Sequence, residues 1–143
     1  YFEVLQRAGL IDDAEFARLA AGDGLADQAL RAAVGRRIDR FLPHGANMVL
    51  DQELADQMHI PYERMALTLQ EHGNTSAASV GITLERILQR SIRYETVAKR
   101  DGEGRLTRPA REVVVEPLRA GQAVLLLSFG AGTSWNYVAA RAV

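Results

Sequence analysis

The stretch "AVLLLSF", residues 123–129, constrains this chain more than any other. It is apolar without alternation, so a strand built from it must be covered on both faces. Helices do that covering in an α/β arrangement. With the following "GAG" the run is still far shorter than the ~20 residues that cross a bilayer. The rest of the chain alternates helical and strand patterns. "YFEVLQRAG" places Phe2, Leu5 and Ala8 on one side and stops at Gly9. "DDAEFARLAAGDG" has an acidic first turn and a glycine-rich stop. Ala26, Ala29, Leu30, Ala33 and Val34 form a stripe that ends at Gly35. "IDRFLPH" reads as a short buried strand running into a loop at Pro43. Ala46, Val49, Leu50, Leu54 and Met58 have helical spacing, with Asp51, Gln52, Asp56 and Gln57 on the other face. "MALTL" reads as a second short strand, and Thr75 to Arg90 as a helix with Ala77, Val80, Leu84 and Ile87 on one side. "YETVAKR" and "REVVVEP" predict strands around a "DGEG" turn, a hairpin that protrudes over residues 93–116. "SWNYVAARA" closes the chain as a strand.

A length of 143 residues allows one domain, or one lobe of a larger protein. The 17 Lys and Arg nearly balance the 18 Asp and Glu, so no basic field draws nucleic acid or an anionic membrane. Without cysteine the chain has no disulfide, no thiolate metal site and no thiol nucleophile of its own. Three histidines without a tight carboxylate pattern do not make a metal site. The first methionine is Met48, so upstream sequence is expected. A cytoplasmic location is the default.

Two polar residues follow the two short strands. His44 lies where an α/β sheet opens into its ligand crevice, and its imidazole can donate a hydrogen bond to a developing oxyanion. The competing reading is a loop histidine that caps the following helix. Asn74, in "EHGNTSAASVGITL", can stabilise an oxyanion or simply act as an N-cap or turn residue. The small residues Ser76, Ala77, Ala78 and Ser79 fit a helix buried against other backbone. His72 rivals His44, with a local backbone bond as its alternative. His59 reads as a surface histidine at a helix end. No serine sits in a nucleophile-elbow pattern.

"FLPHGAN", "HGNTSAASV" and "AGQAVLLLSFGAGTSW", in that order, resemble the C-terminal part of 3-oxoacyl-acyl-carrier-protein synthase III, a thiolase-like condensing enzyme. The resemblance runs from about Ile38 to Val143 and is broken at residues 93–116. It implies an α/β thiolase-like fold of two similar lobes. Residues 38–143 would be the C-terminal lobe, a mixed five-stranded sheet with helices on both faces. Residues 1–37 would be a helical lead-in, 93–116 an inserted hairpin, and the N-terminal lobe is absent from this chain. The resemblance also implies a divided site. The nucleophilic cysteine belongs to the N-terminal lobe, while His44 and Asn74 are the catalytic residues of this one. Ala131 would supply an oxyanion-hole N–H from its backbone. Asn47, Gly45, Ala46, Phe129 and Gly130 would line the substrate near its pantetheine arm.

The implied activity is decarboxylative Claisen condensation of an acyl thioester with malonyl thioester, with no cofactor beyond acyl-CoA or acyl-carrier-protein thioesters. The implied partners are the cysteine-bearing lobe, acyl-CoA, an acyl carrier protein and a second copy in a homodimer. Departures from the family pattern point to a specialised relative, as in secondary or polyketide metabolism. Gly45 stands for Gln, Met48-Val49 fall where an Arg is expected, Gly81 replaces a frequent Pro, and Ala131 replaces Gly. Two other readings stay open. One is a related acyltransferase making an ester or amide, with His44 as general base. The other is a non-catalytic partner lobe.

Overall fold

The computed structural model describes residues 1–22, 26–130 and 134–143. Three helices lead in: α1 (Phe2–Arg7), α2 (Asp13–Ala21) and α3 (Ala26–Gly35). Asp12 and Glu15 form a reciprocal capping box at the start of α2, and Gly22 ends it in the left-handed conformation. Gly35 closes α3 against the carbonyls of Met58 and His59; a Cβ built there would lie 2.5 Å from the His59 oxygen. Next come β1 (Arg40–Leu42), α4 (Met48–Gln57), a 3₁₀ turn (Tyr62–Arg64), α5 (Leu69–His72) and α6 (Ala78–Gln89). Four short strands follow: β2 (Ile92–Glu95), β3 (Lys99–Arg100), β4 (Leu106–Arg108) and β5 (Glu112–Val115). The chain ends with β6 (Ala123–Gly130) and β7 (Ser134–Arg141).

The main sheet has the order β1-β6-β7. β1 runs parallel to β6 in the register Arg40↔Val124 to Leu42↔Leu126, and β7 is antiparallel to β6. The expectation of five strands is not met among the described residues, where this sheet has three. The "MALTL" segment contributes one parallel bridge, Met65 to Phe41, and then turns into α5. Met65, Ala66 and Leu67 are buried, so the apolar run marks burial rather than a ladder. α6 packs on β1 and β6, and α1 on β7. Phe41, Leu42, Ile87, Leu125 and Leu127 form the centre of the core. β6 is thus covered within this chain. Exposed apolar surface lies on β7 instead, at Trp135 and Val138.

Residues 92–115 form two successive two-stranded ribbons. β2 pairs with β5 and β3 with β4, around a turn in which Gly104 donates to the Asp101 carbonyl. The ribbons do not protrude freely. They lie over the polar face of α4, which corrects the helix orientation read from spacing. Met48, Asp51, Gln52 and Ala55 are buried, whereas Val49 is 58% exposed. Gln52 accepts from the Val97 amide at 2.7 Å and donates to its carbonyl at 3.2 Å. Asp56 binds the Arg108 guanidinium at 3.0 Å and accepts from the Tyr62 hydroxyl at 2.8 Å. A face that reads as solvated is therefore paired with a distant segment.

Candidate active site

β1 ends at Leu42, and Pro43 carries the chain into a buried loop that presents His44. The His44 ring is 6% exposed, and its centroid lies 4.7 Å from that of Phe129 on β6. Phe129 in turn stacks on Trp135 of β7 at 4.9 Å, so two strands form the wall behind the imidazole. Among the described residues, His44 Nδ1 is buried without a hydrogen-bond partner. The Ser79 hydroxyl, in the first turn of α6, donates to the His44 carbonyl. Helix capping does not explain this histidine. Asn47 is the cap of α4, its Oδ1 accepting from Leu50 N–H at 2.9 Å.

Gly45 turns the loop in the left-handed conformation, with φ +67°. Only glycine adopts that angle without strain. Asn74, in the turn between α5 and α6, reaches the same loop. Its Nδ2 donates to the Ala46 carbonyl at 3.3 Å, and its Oδ1 accepts from Ser76 N–H at 2.9 Å. The second bond closes an Asx turn that competes with helical bonding, and Ser76 takes φ +56°. The helix predicted from Thr75 therefore starts only at Ala78, and Asn74 is not its N-cap. Nor is the small-residue start buried here. Ala77, Ala78 and Gly81 face outward, and Ser79, Thr83 and Ile87 make the inner face.

His44, Gly45, Ala46, Asn74 and Phe129 thus gather around one loop. Asn47 is exposed, with its Oδ1 engaged in the cap. Gly130 ends β6 opposite Ser134. Ala131 lies outside the described residues. His72 is on another side of α6, where its Nε2 lies 3.2 Å from Arg86 and 3.7 Å from Glu71. Its partners are these side chains, not the local backbone. His59 follows α4 at φ +54° and is half-buried.

One residue at this site escapes any reading by pattern. Asp51, in the first turn of α4, is fully buried near the backbone amides of Gly45 and Ala46, and among the described residues neither of its carboxylate oxygens has a hydrogen-bond partner. Burial pushes its carboxyl up to about 7, against the smaller pull of those amides. By spacing alone it belongs to the polar face; the only available signal was its place four residues after Asn47. Among the described residues no cluster of His, Asp and Glu could hold a metal ion. No described helix is long and apolar enough to cross a membrane.

Comparison with known proteins supplies the family. Residues 32–97 match the model of the 3-oxoacyl-[acyl-carrier-protein] synthase III C-terminal region. That match begins upstream of Ile38 and takes in the last four residues of α3, 32–35. A β-ketoacyl-[acyl-carrier-protein] synthase III of Gloeobacter violaceus is 33% identical over 105 residues, covering 73% of this chain and 24% of the relative. One of Blochmanniella floridana is 32% identical over 104 residues, with 73% and 25% covered. The chain thus spans about a quarter of the length of the curated relatives it matches. The crystal structure of 3-oxoacyl-(acyl carrier protein) synthase III from Pseudomonas aeruginosa superposes with TM-score 0.54 at 28% identity, over 81% of this chain and 30% of that one. The Thermus thermophilus structure, at 24% identity and TM-score 0.53, agrees in fold over 83% of this chain and 34% of that one. The fold is that of a thiolase-like lobe, and the chain belongs to the 3-oxoacyl-[acyl-carrier-protein] synthase III family as its C-terminal region.

Proposed function

We propose that this chain supplies the His44 and Asn74 half of a decarboxylative condensing site, completed by a cysteine-bearing lobe. The observation that carries the reading is the His44 ring, set against Phe129 with no partner for Nδ1 among the described residues, on a loop that Asn74 also binds. In the reaction, the bond between the malonyl α-carbon and its carboxylate breaks, and carbon dioxide leaves. The electron pair passes to the thioester enolate, whose oxygen gains charge. His44 and Asn74 donate hydrogen bonds to that oxygen; for Asn74 this means exchanging the long bond to Ala46 for one to substrate. The enolate carbon then attacks the acyl thioester on the cysteine, and the thiolate departs to leave a β-ketoacyl thioester. Each donor of this type lowers the barrier by about 3–4 kcal/mol.

Substrates would be acyl-CoA and a malonyl thioester, on coenzyme A or an acyl carrier protein, with no further cofactor. The working form would be a cytoplasmic homodimer. Gly45 and Val49, which depart from the family pattern, support a specialised role in secondary metabolism. The test is malonyl-thioester decarboxylation and condensation by the intact protein, with and without His44→Ala. Full condensation in that variant overturns the reading. If Asn74→Ala transfers acyl groups to an alcohol or amine at full rate, an ester- or amide-forming enzyme with His44 as general base replaces it.

A further inference from the structure

We propose that Asp51 is a positioning residue, whose buried carboxyl braces the amides of Gly45 and Ala46 and so sets His44 and the carbonyl that receives Asn74. Side chains on a helix lean toward its N-terminus, so a residue in the first turn of α4 covers the segment that precedes it. Asp51 is 0% exposed, and among the described residues neither carboxylate oxygen has a hydrogen-bond partner, so its hold on the loop amides is electrostatic. The polar groups it faces are the two amides of the loop. Among the described residues, no charged neighbour offsets its burial. Across the fold the titratable group that feels it is the Tyr94 phenol on β2, whose hydroxyl is engaged with the Tyr62 carbonyl. His44 is the ionisable group on the loop itself. The neighbouring Gln52 is tied to Val97 and gives Asp51 nothing.

A carboxyl buried without a counter-charge is costly, and an apolar residue would pack there more cheaply. Such a break of the local rules is expected where a site needs it. Here it stands under the left-handed turn at Gly45, the one element joining His44 to the Asn74 contact. The raised pKa agrees with this placement and makes the brace sensitive to pH near neutrality.

The inference rests on the proposed reaction for its consequence, but not for its first test. In the intact protein labelled with ¹⁵N at glycine and alanine, the Gly45 and Ala46 amide protons are followed against pH. They should move together, with a midpoint well above the ordinary carboxylate range, and Asp51→Asn should abolish the movement. Amides that do not titrate, or that titrate unchanged in Asp51→Asn, overturn the brace. The second test is condensation by Asp51→Asn and Asp51→Leu. A fall in kcat of about tenfold to a hundredfold is expected, with KM little changed and the melting temperature raised. Unchanged kcat overturns the positioning role, and so does activity lost in step with stability. If the wild-type protein shows no condensation at all, the reaction is wrong, and the amide titration still decides the brace.

Discussion

Ser79 donates its hydroxyl to the carbonyl oxygen of His44, fastening the loop after β1 to α6. The same hydroxyl lies 2.6 Å from the Ser76 carbonyl, and its single proton serves both. Ser79→Ala leaves the buried His44 carbonyl without a donor. The expected loss is about 1–3 kcal/mol of stability, read from urea unfolding. Unchanged unfolding would show that the loop does not depend on this tie.

His44 and Asn74 should behave as one unit in the intact protein. Each alanine substitution should slow condensation strongly, and the double mutant should lose little more than the worse single. His72→Ala should cost within about 1 kcal/mol, as its partners are Arg86 and Glu71 at the surface. The measurement is single-turnover condensation. Strict additivity would mean that the two side chains serve different steps.

Asp51 gives stability an unusual slope with pH. Its folded pKa is about 7, against an ordinary value of 3.8, so the folded state keeps a proton that the unfolded chain releases. This stabilisation is complete below the ordinary value and is lost as pH rises through about 7. The difference of about three units corresponds to about 4 kcal/mol between the two limits. Asp51→Asn should flatten this part of the profile and be the more stable protein at pH 8. Denaturant midpoints between pH 4 and 8 test both.

Asp56 acts in a lower window and with the opposite sign. Burial raises its pKa, but hydrogen bonds from Arg108, Tyr62 and Lys99 outweigh that and hold it below its ordinary value. Its contribution is present above the ordinary 3.8 and is lost as pH falls through the lower folded value. Asp56→Ala should release the β3–β4 ribbon, at a cost of about 1–3 kcal/mol. Hydrogen exchange at Lys99 and Arg108 should speed up more than exchange in β6.

Gly35→Ala should destabilise the chain by at least about 2 kcal/mol, because the new methyl group meets the backbone oxygens of Met58 and His59. Calorimetry gives the shift. A wild-type melting temperature would mean that α3 and α4 can part at no cost.

Local chemistry made much of this fold legible. The capping residues around α2, the stripe ending at Gly35 and the unbroken apolar run of β6 each announce their element. His44 was legible because it follows a buried strand, and the family motifs picked out the loop with Asn74. What escaped was non-local. α4 has a weakly amphipathic sequence, and the ribbons placed 35 or more residues later decide which face is buried. Asp51 and Gln52 read as solvated because nothing near them names their cover. Asn74 read as a possible helix cap because an Asx turn and a cap use the same side chain in the same sequence context.

The parallel pairing of Arg40 with Val124 bears on synthesis at the ribosome. β1 leaves the ribosome long before the strand that must lie beside it, and β7 must follow β6. Until β6 emerges, Phe41 and Leu42 have no neighbouring strand of that sheet to join. The sheet therefore closes only after β6 and β7 have been made, and deleting both strands should leave a nascent chain that chaperones hold rather than a smaller folded domain.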